Sequence, residues 1–110
     1  MHDNIQKLIE ISITSFSDEI STKTFAHLVS IEKLLQAEQV RIVELRRIYK
    51  ENITELKKKI FKNKTVKELL NEYEECYIMT YVIEQKISDR LNMTERARSL
   101  KGVSPAIFTV

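Results

Sequence analysis

Glycine, proline and cysteine occur once each in this 110-residue chain, and tryptophan is missing. Gly102 and Pro105 both lie near the C-terminus, so residues 1–101 contain neither of the strongest backbone punctuators. Together with the apolar periodicity described below, this points to an all-α protein. A single cysteine, Cys76, excludes an intrachain disulfide and a cysteine-rich zinc site, and it suits a reducing compartment. No apolar run approaches the ~20 residues a membrane span needs. The N-terminal segment carries Asp3, Lys7 and Glu10 without the apolar stretch of a secretory leader, so a cytoplasmic location is expected.

Chemistry-bearing motifs are equally sparse. His2 and His27 show no metal-ligand spacing. His27 is read as a histidine at a helix boundary. Glu72, Glu75 and Glu84 lack the Glu-x-x-His partner of a di-iron bundle. Cys76, between Tyr73 and Tyr77 on an apolar face, is read as a buried and unreactive thiol. Arg46, Arg47 and Glu84 would form an anion pocket only if they met across a bundle. The sequence therefore assigns no catalytic residue, no cofactor and no metal ligand. It shows no evident small-molecule substrate, and the chain is read as not an enzyme.

What is present is helical periodicity. Leu28, Leu35, Ile42, Tyr49 and Leu56 recur every seven residues, and Ile31 and Leu45 add the second spacing of a heptad. One long helix is expected over about 22–61, with Glu38 and Asn52 as polar residues in its seam. Ile5, Leu8, Ile9, Ile13, Phe16 and Ile20 predict a shorter N-terminal helix over 4–20, with a break from the long helix somewhere in 16–23. Ser15 with Asp18 has capping-box-like spacing, and Ser21, Thr22 and Thr24 offer further caps. Lys62-Asn63-Lys64-Thr65 marks a turn, and Thr65 with Glu68 forms a capping box. A returning helix over about 66–92 follows, and its dense apolar section from Cys76 to Ile83 suggests enclosure on more than one side. Asn92-Met93-Thr94-Glu95 predicts a second boundary, then a short C-terminal helix ending at Gly102, with Val103 placed for a Schellman contact. An apolar tail, extended or flexible, completes residues 103–110. The expected architecture is an elongated antiparallel helical hairpin or bundle within a single helical domain spanning 1–110.

Charge is unevenly spread. Residues 41–67 carry net +7, whereas residues 68–92 carry net −4. Arg46, Arg47, Lys50, Lys57, Lys58, Lys59, Lys62 and Lys64 are therefore candidate contacts for an acidic partner or nucleic acid. Aromatics for base stacking are few beside them, and the returning helix offers Glu68, Glu72, Glu74 and Glu75 to the same lysines. Leu28, Leu35, Ile42, Tyr49, Leu56, Tyr73, Tyr77 and Tyr81 are candidate interface residues; the three tyrosines of the returning helix recur every four positions. The leading functional reading is a non-enzymatic helical interaction protein, an adaptor, regulator or inhibitor, acting as a homo-oligomer or with a protein partner. The alternative is a nucleic-acid-binding regulator using residues 41–67. A membrane role is disfavoured, because the hairpin needs that region's apolar residues for its own seam.

Overall fold

The computed structural model describes residues 2–59 and 64–102, with side chains from Ile5 onward. Lys62, Asn63, Val103 and the 103–110 tail lie outside the described residues. Four helices follow in order: α1 (His2–Glu10), α2 (Ile13–Ser21), α3 (Phe25–Lys57) and α4 (Lys64–Gly102). The protein is all-α, dominated by the long α3 and α4 with two short helices preceding them.

The N-terminal segment divides where one helix was expected. Ser12 adopts an extended backbone, and its hydroxyl accepts a hydrogen bond from the Ser15 N–H at 3.1 Å, which makes it the N-cap of α2. The box starting at Ser15 is thus displaced by three residues. The expected break in 16–23 falls at its far end. Ser21 and Thr22 hydroxyls donate to the Asp18 and Glu19 carbonyls, closing α2. The Thr24 hydroxyl accepts from the His27 N–H at 3.2 Å and starts α3.

The second expected boundary does not form. α4 runs unbroken through 92–95, so among the described residues no separate C-terminal helix follows it. Thr94 is fully buried, and its hydroxyl donates to the Arg90 carbonyl one turn back at 2.7 Å. A buried threonine bonded back to its own helix in this way sits in a helix interior, not at a cap. Gly102 ends α4 without a positive φ, contrary to the left-handed terminator expected of it. Thr65 likewise lies inside α4 rather than capping it.

By contact the chain divides into two compact units, one built from the described parts of Met1–Glu38 and Lys86–Val110, the other from Gln39–Gln85. The first unit has four helical segments and a closed core. Ile5 and Ile9 from α1, Phe16 and Ile20 from α2, Leu28, Ile31 and Leu35 from α3, and Ile87 and Leu91 from α4 are all buried. Each follows the three-and-four spacing that puts side chains on one helical face. Each large side chain fully buried this way stabilises the fold by roughly 1.5–3 kcal/mol before entropy is counted.

Two cations from α4 complete this unit. Arg90, buried among these helices, donates from Nε to the Leu8 carbonyl at 2.8 Å and from its second terminal nitrogen to the Ile11 carbonyl. These are carbonyls at the end of α1 that have no partner within the helix. The guanidinium also lies 5.8 Å from the Phe16 ring centroid. Burial pushes the Arg90 pKa down, opposed by the Asp89 carboxylate. Lys101 plays the same part for α2, donating to the Ser21 and Lys23 carbonyls. Both positions place positive charge at a helix C-terminus, where the helix dipole favours it. Arg98 pairs with Glu32 on α3.

Candidate protein-interaction surface

The second unit contains only residues 39–59 and 64–85 among those described, so each helix there has one helical neighbour in the unit. One stripe of each is covered. Ile42, Leu70 and Thr80 are buried, and Leu45, Tyr49, Leu56, Tyr73 and Tyr77 are half-buried beside them. The heptad series thus forms the internal seam. Leu28, Leu35 and Ile42 are sealed inside their units and present nothing to a partner.

The polar centre of the hairpin is Arg46. Its Nε donates to the Thr80 hydroxyl at 3.0 Å, a terminal nitrogen donates to the Thr80 carbonyl at 3.3 Å, and the same nitrogen forms an ion pair with Glu84. The Thr80 hydroxyl in turn donates to the Tyr77 carbonyl at 2.6 Å. The Arg46 guanidinium stacks on the Tyr81 ring, 3.7 Å from its centroid. Tyr77 meets Tyr81 edge-on at 5.5 Å, with hydroxyls 3.1 Å apart. That hydroxyl contact, and then partial desolvation, raise the Tyr77 pKa; Arg46 opposes the rise. Nearer the turn, Tyr49 and Tyr73 lie 5.8 Å apart.

The suggested anion pocket is therefore half correct. Arg46 and Glu84 do meet, but they neutralise each other. Arg47 turns to its own helix and pairs with Glu44 and Glu51, and the Glu44 contact holds that carboxyl below its usual range. Lys50, Lys57, Lys58, Lys59 and Lys64 are exposed. Lys58 pairs with Glu55 at 3.1 Å. Among the described residues, no ion pair joins Lys57 or Lys59 to Glu68, Glu72, Glu74 or Glu75.

Two expectations about α4 are corrected. Cys76 is exposed, not buried. The section from Cys76 to Ile83 is covered along one stripe only, leaving Ile78, Met79, Tyr81 and Val82 exposed. On α3, Val40, Val43 and Ile48 are exposed as well. The cause is common to both: within this unit no third helix covers the flanks of the pair. Of the two polar seam positions, Glu38 is buried and Asn52 is exposed. His27 is exposed at the start of α3, with Nδ1 3.1 Å from the Thr24 hydroxyl.

Among the described residues, no group of three or more His, Cys, Asp or Glu side chains is placed to hold a metal ion. No described helix is long and apolar enough to cross a membrane. Compared with protein-family models, curated sequences and solved structures, the chain matches none.

Proposed function

We propose that this is a non-enzymatic helical interaction protein of the cytoplasm, an adaptor, regulator or inhibitor that works by presenting the side chains of its 39–85 hairpin to a protein partner. One observation carries the reading: this hairpin leaves Val40, Val43, Ile78, Met79, Tyr81 and Val82 exposed. Solvent-exposed apolar side chains grouped on one small unit mark interaction surfaces in soluble proteins. Tyr81 beneath Arg46 adds the aromatic–arginine chemistry enriched at binding hot spots. The exposed free thiol of Cys76 suits a reducing compartment.

The test is association measured by sedimentation of the pure protein and by affinity capture from its native host, for the wild type and for Ile78→Ser. The proposal expects a complex that the substitution weakens while helical content stays unchanged. A wild type that neither self-associates nor retains any protein contradicts it.

A second reading has its own support. Lys50, Lys57 and Lys59 are exposed and enter no ion pair among the described residues, which leaves them available to phosphates. Nucleic-acid binding through residues 41–67 predicts a salt-sensitive complex abolished by alanine at Lys57, Lys58 and Lys59. No binding near physiological salt removes this reading.

A further inference from the structure

Two rows of side chains indicate what covers one flank of the hairpin. We infer that the flank carrying Ile48 and Met79 packs on the same flank of a second copy of the chain, across a two-fold axis that runs perpendicular to the helices. The inference rests on the interaction reading above and names one partner. Ile78 is about 100° round α4 from Met79, so its face stays open in this arrangement.

The flank is the one opposite the Arg46–Tyr81 stack. At about 100° per residue, Ile48 lies about 160° round α3 from Arg46, and Met79 lies about 160° round α4 from Tyr81. Both are turned to the far side of the pair, where Ile48 is 40% and Met79 49% exposed. Each has a half-buried neighbour at the edge of the seam: Leu45 three residues before Ile48, and Ile83 four after Met79. Cys76, three before Met79, is exposed and hydrogen-bonds Tyr49 of α3. These five side chains form one apolar strip across both helices.

Charges of opposite sign close its two ends. Seven residues are close to two helical turns. Arg41, Ile48 and Glu55 therefore stand in one row on α3, and Glu72, Met79 and Lys86 in one row on α4. The rows run in opposite directions, because Arg46 meets Thr80 while Tyr49 meets Tyr73. Ile48 is thus level with Met79, and Glu55 with Glu72 nearer the turn. Arg41 is level with Gln85, which Lys86 follows on the unbroken helix. One end of the flank is basic on both helices, and the other is acidic on both. Glu75 adds to the acidic end, and Lys59 lies a further turn out. Glu72 and Lys86 are exposed and enter no ion pair among the described residues. Glu55 pairs with Lys58 of its own helix.

This layout is complementary to itself. An axis across the helices, at the level of Ile48 and Met79, inverts both rows. Glu72 of each copy then meets Lys86 of the other, Glu55 meets Arg41, and the apolar centres meet each other. An axis along the helices would instead set Arg41 on Lys86 and Glu55 on Glu72, like charge on like. A nucleic acid would be attracted at one end and repelled at the other. Equal spacing of opposite charges about an apolar centre, on both helices, is what pairing with a second copy requires, and no other partner requires it.

Charge exchange tests the pairing. Glu72→Lys and Lys86→Glu are prepared separately and as a double variant. Molar masses are measured by sedimentation, with helical content followed by circular dichroism. The wild type is expected as a dimer. Each single reversal opposes like charges twice, and should raise the dissociation constant about tenfold or more. An equal mixture of the two single variants should recover the dimer, because every lysine at these positions then faces a glutamate. The double variant should recover it for the same reason. Single reversals as dimeric as the wild type, or a mixture that stays monomeric, overturn the inference. Should a single variant lose helical content, Met79→Cys in a Cys76→Ser chain takes its place. Position 79 lies on the axis and meets itself, so oxidation with diamide should link two copies, and a chain that stays unlinked overturns the inference. A monomeric wild type that retains a different protein overturns the second copy and leaves the interaction reading standing. A monomeric wild type that retains nothing overturns both.

Discussion

Arg46 stacks on Tyr81 at 3.7 Å while its Nε bonds Thr80 at 3.0 Å, so one side chain of α3 engages two consecutive residues of α4. With Glu84 as its ion partner, the guanidinium is half-buried and satisfied on several sides. Removing it strands the Glu84 carboxylate and uncovers Tyr81. Arg46→Ala should lower the stability of the chain by about 1–3 kcal/mol, read from urea midpoints. Arg46→Lys should fall between the two, because an ammonium keeps the charge but not the planar fork. Equal midpoints for all three chains would show that the cluster adds nothing.

Arg90 makes a separate and larger claim. Its removal leaves the Leu8 and Ile11 carbonyls without their charged donor inside a packed unit. Arg90→Met, which keeps the apolar stem, should cost about 2 kcal/mol or more. Hydrogen exchange should show the loss concentrated in α1 and the 11–12 turn. Uniform acceleration across all four helices would contradict the local role.

Asn92 distinguishes a continuous helix from a capped start by the sign of an effect. It is exposed within α4. Asn92→Ala should stabilise by about 0.5 kcal/mol, because alanine is the better helix former. An N-cap at this position would instead make the same change destabilising by about 1 kcal/mol.

These three sites also show what the sequence made legible. The helices of the seam were readable because Leu28, Leu35, Ile42, Ile87 and Leu91 obey a local period. The break at Thr22–Thr24 was readable because short hydroxyl residues cluster there. Ser12 was missed because Ser12, Ser15 and Ser17 offer equivalent caps, and only packing of Phe16 and Ile20 decides among them. The boundary expected at Asn92–Glu95 does not form because Thr94 is buried in the packed unit and α4 continues through it, which short polar residues alone do not reveal. Arg90 carried no local signal at all: it acts on carbonyls 79 and 82 residues away. Cys76, Ile78, Met79, Tyr81 and Val82 are exposed against expectation, because apolar density reveals a demand for burial, not whether the same chain meets it.

The tyrosines give the hairpin a response to alkaline pH. Burial, followed by a hydrogen bond with Cys76, raises the Tyr49 pKa above the usual value of about 10. The unfolded chain therefore loses this proton first as pH rises. The contribution is fully present below pH ~10 and disappears as pH climbs through the higher folded value. Urea midpoints of the wild type should fall more steeply above pH ~10 than those of Tyr49→Phe, since lysine titration is common to both chains. Parallel curves would contradict the sign.

The central claim is that the 39–85 hairpin is half of an interface. Light-scattering molar mass of the pure wild-type chain across a concentration series tests it most directly. The account predicts a mass above that of one chain, either for the pure protein as concentration rises or after addition of the host extract fraction that the protein retains. A mass of one chain at every concentration and with every fraction would contradict it.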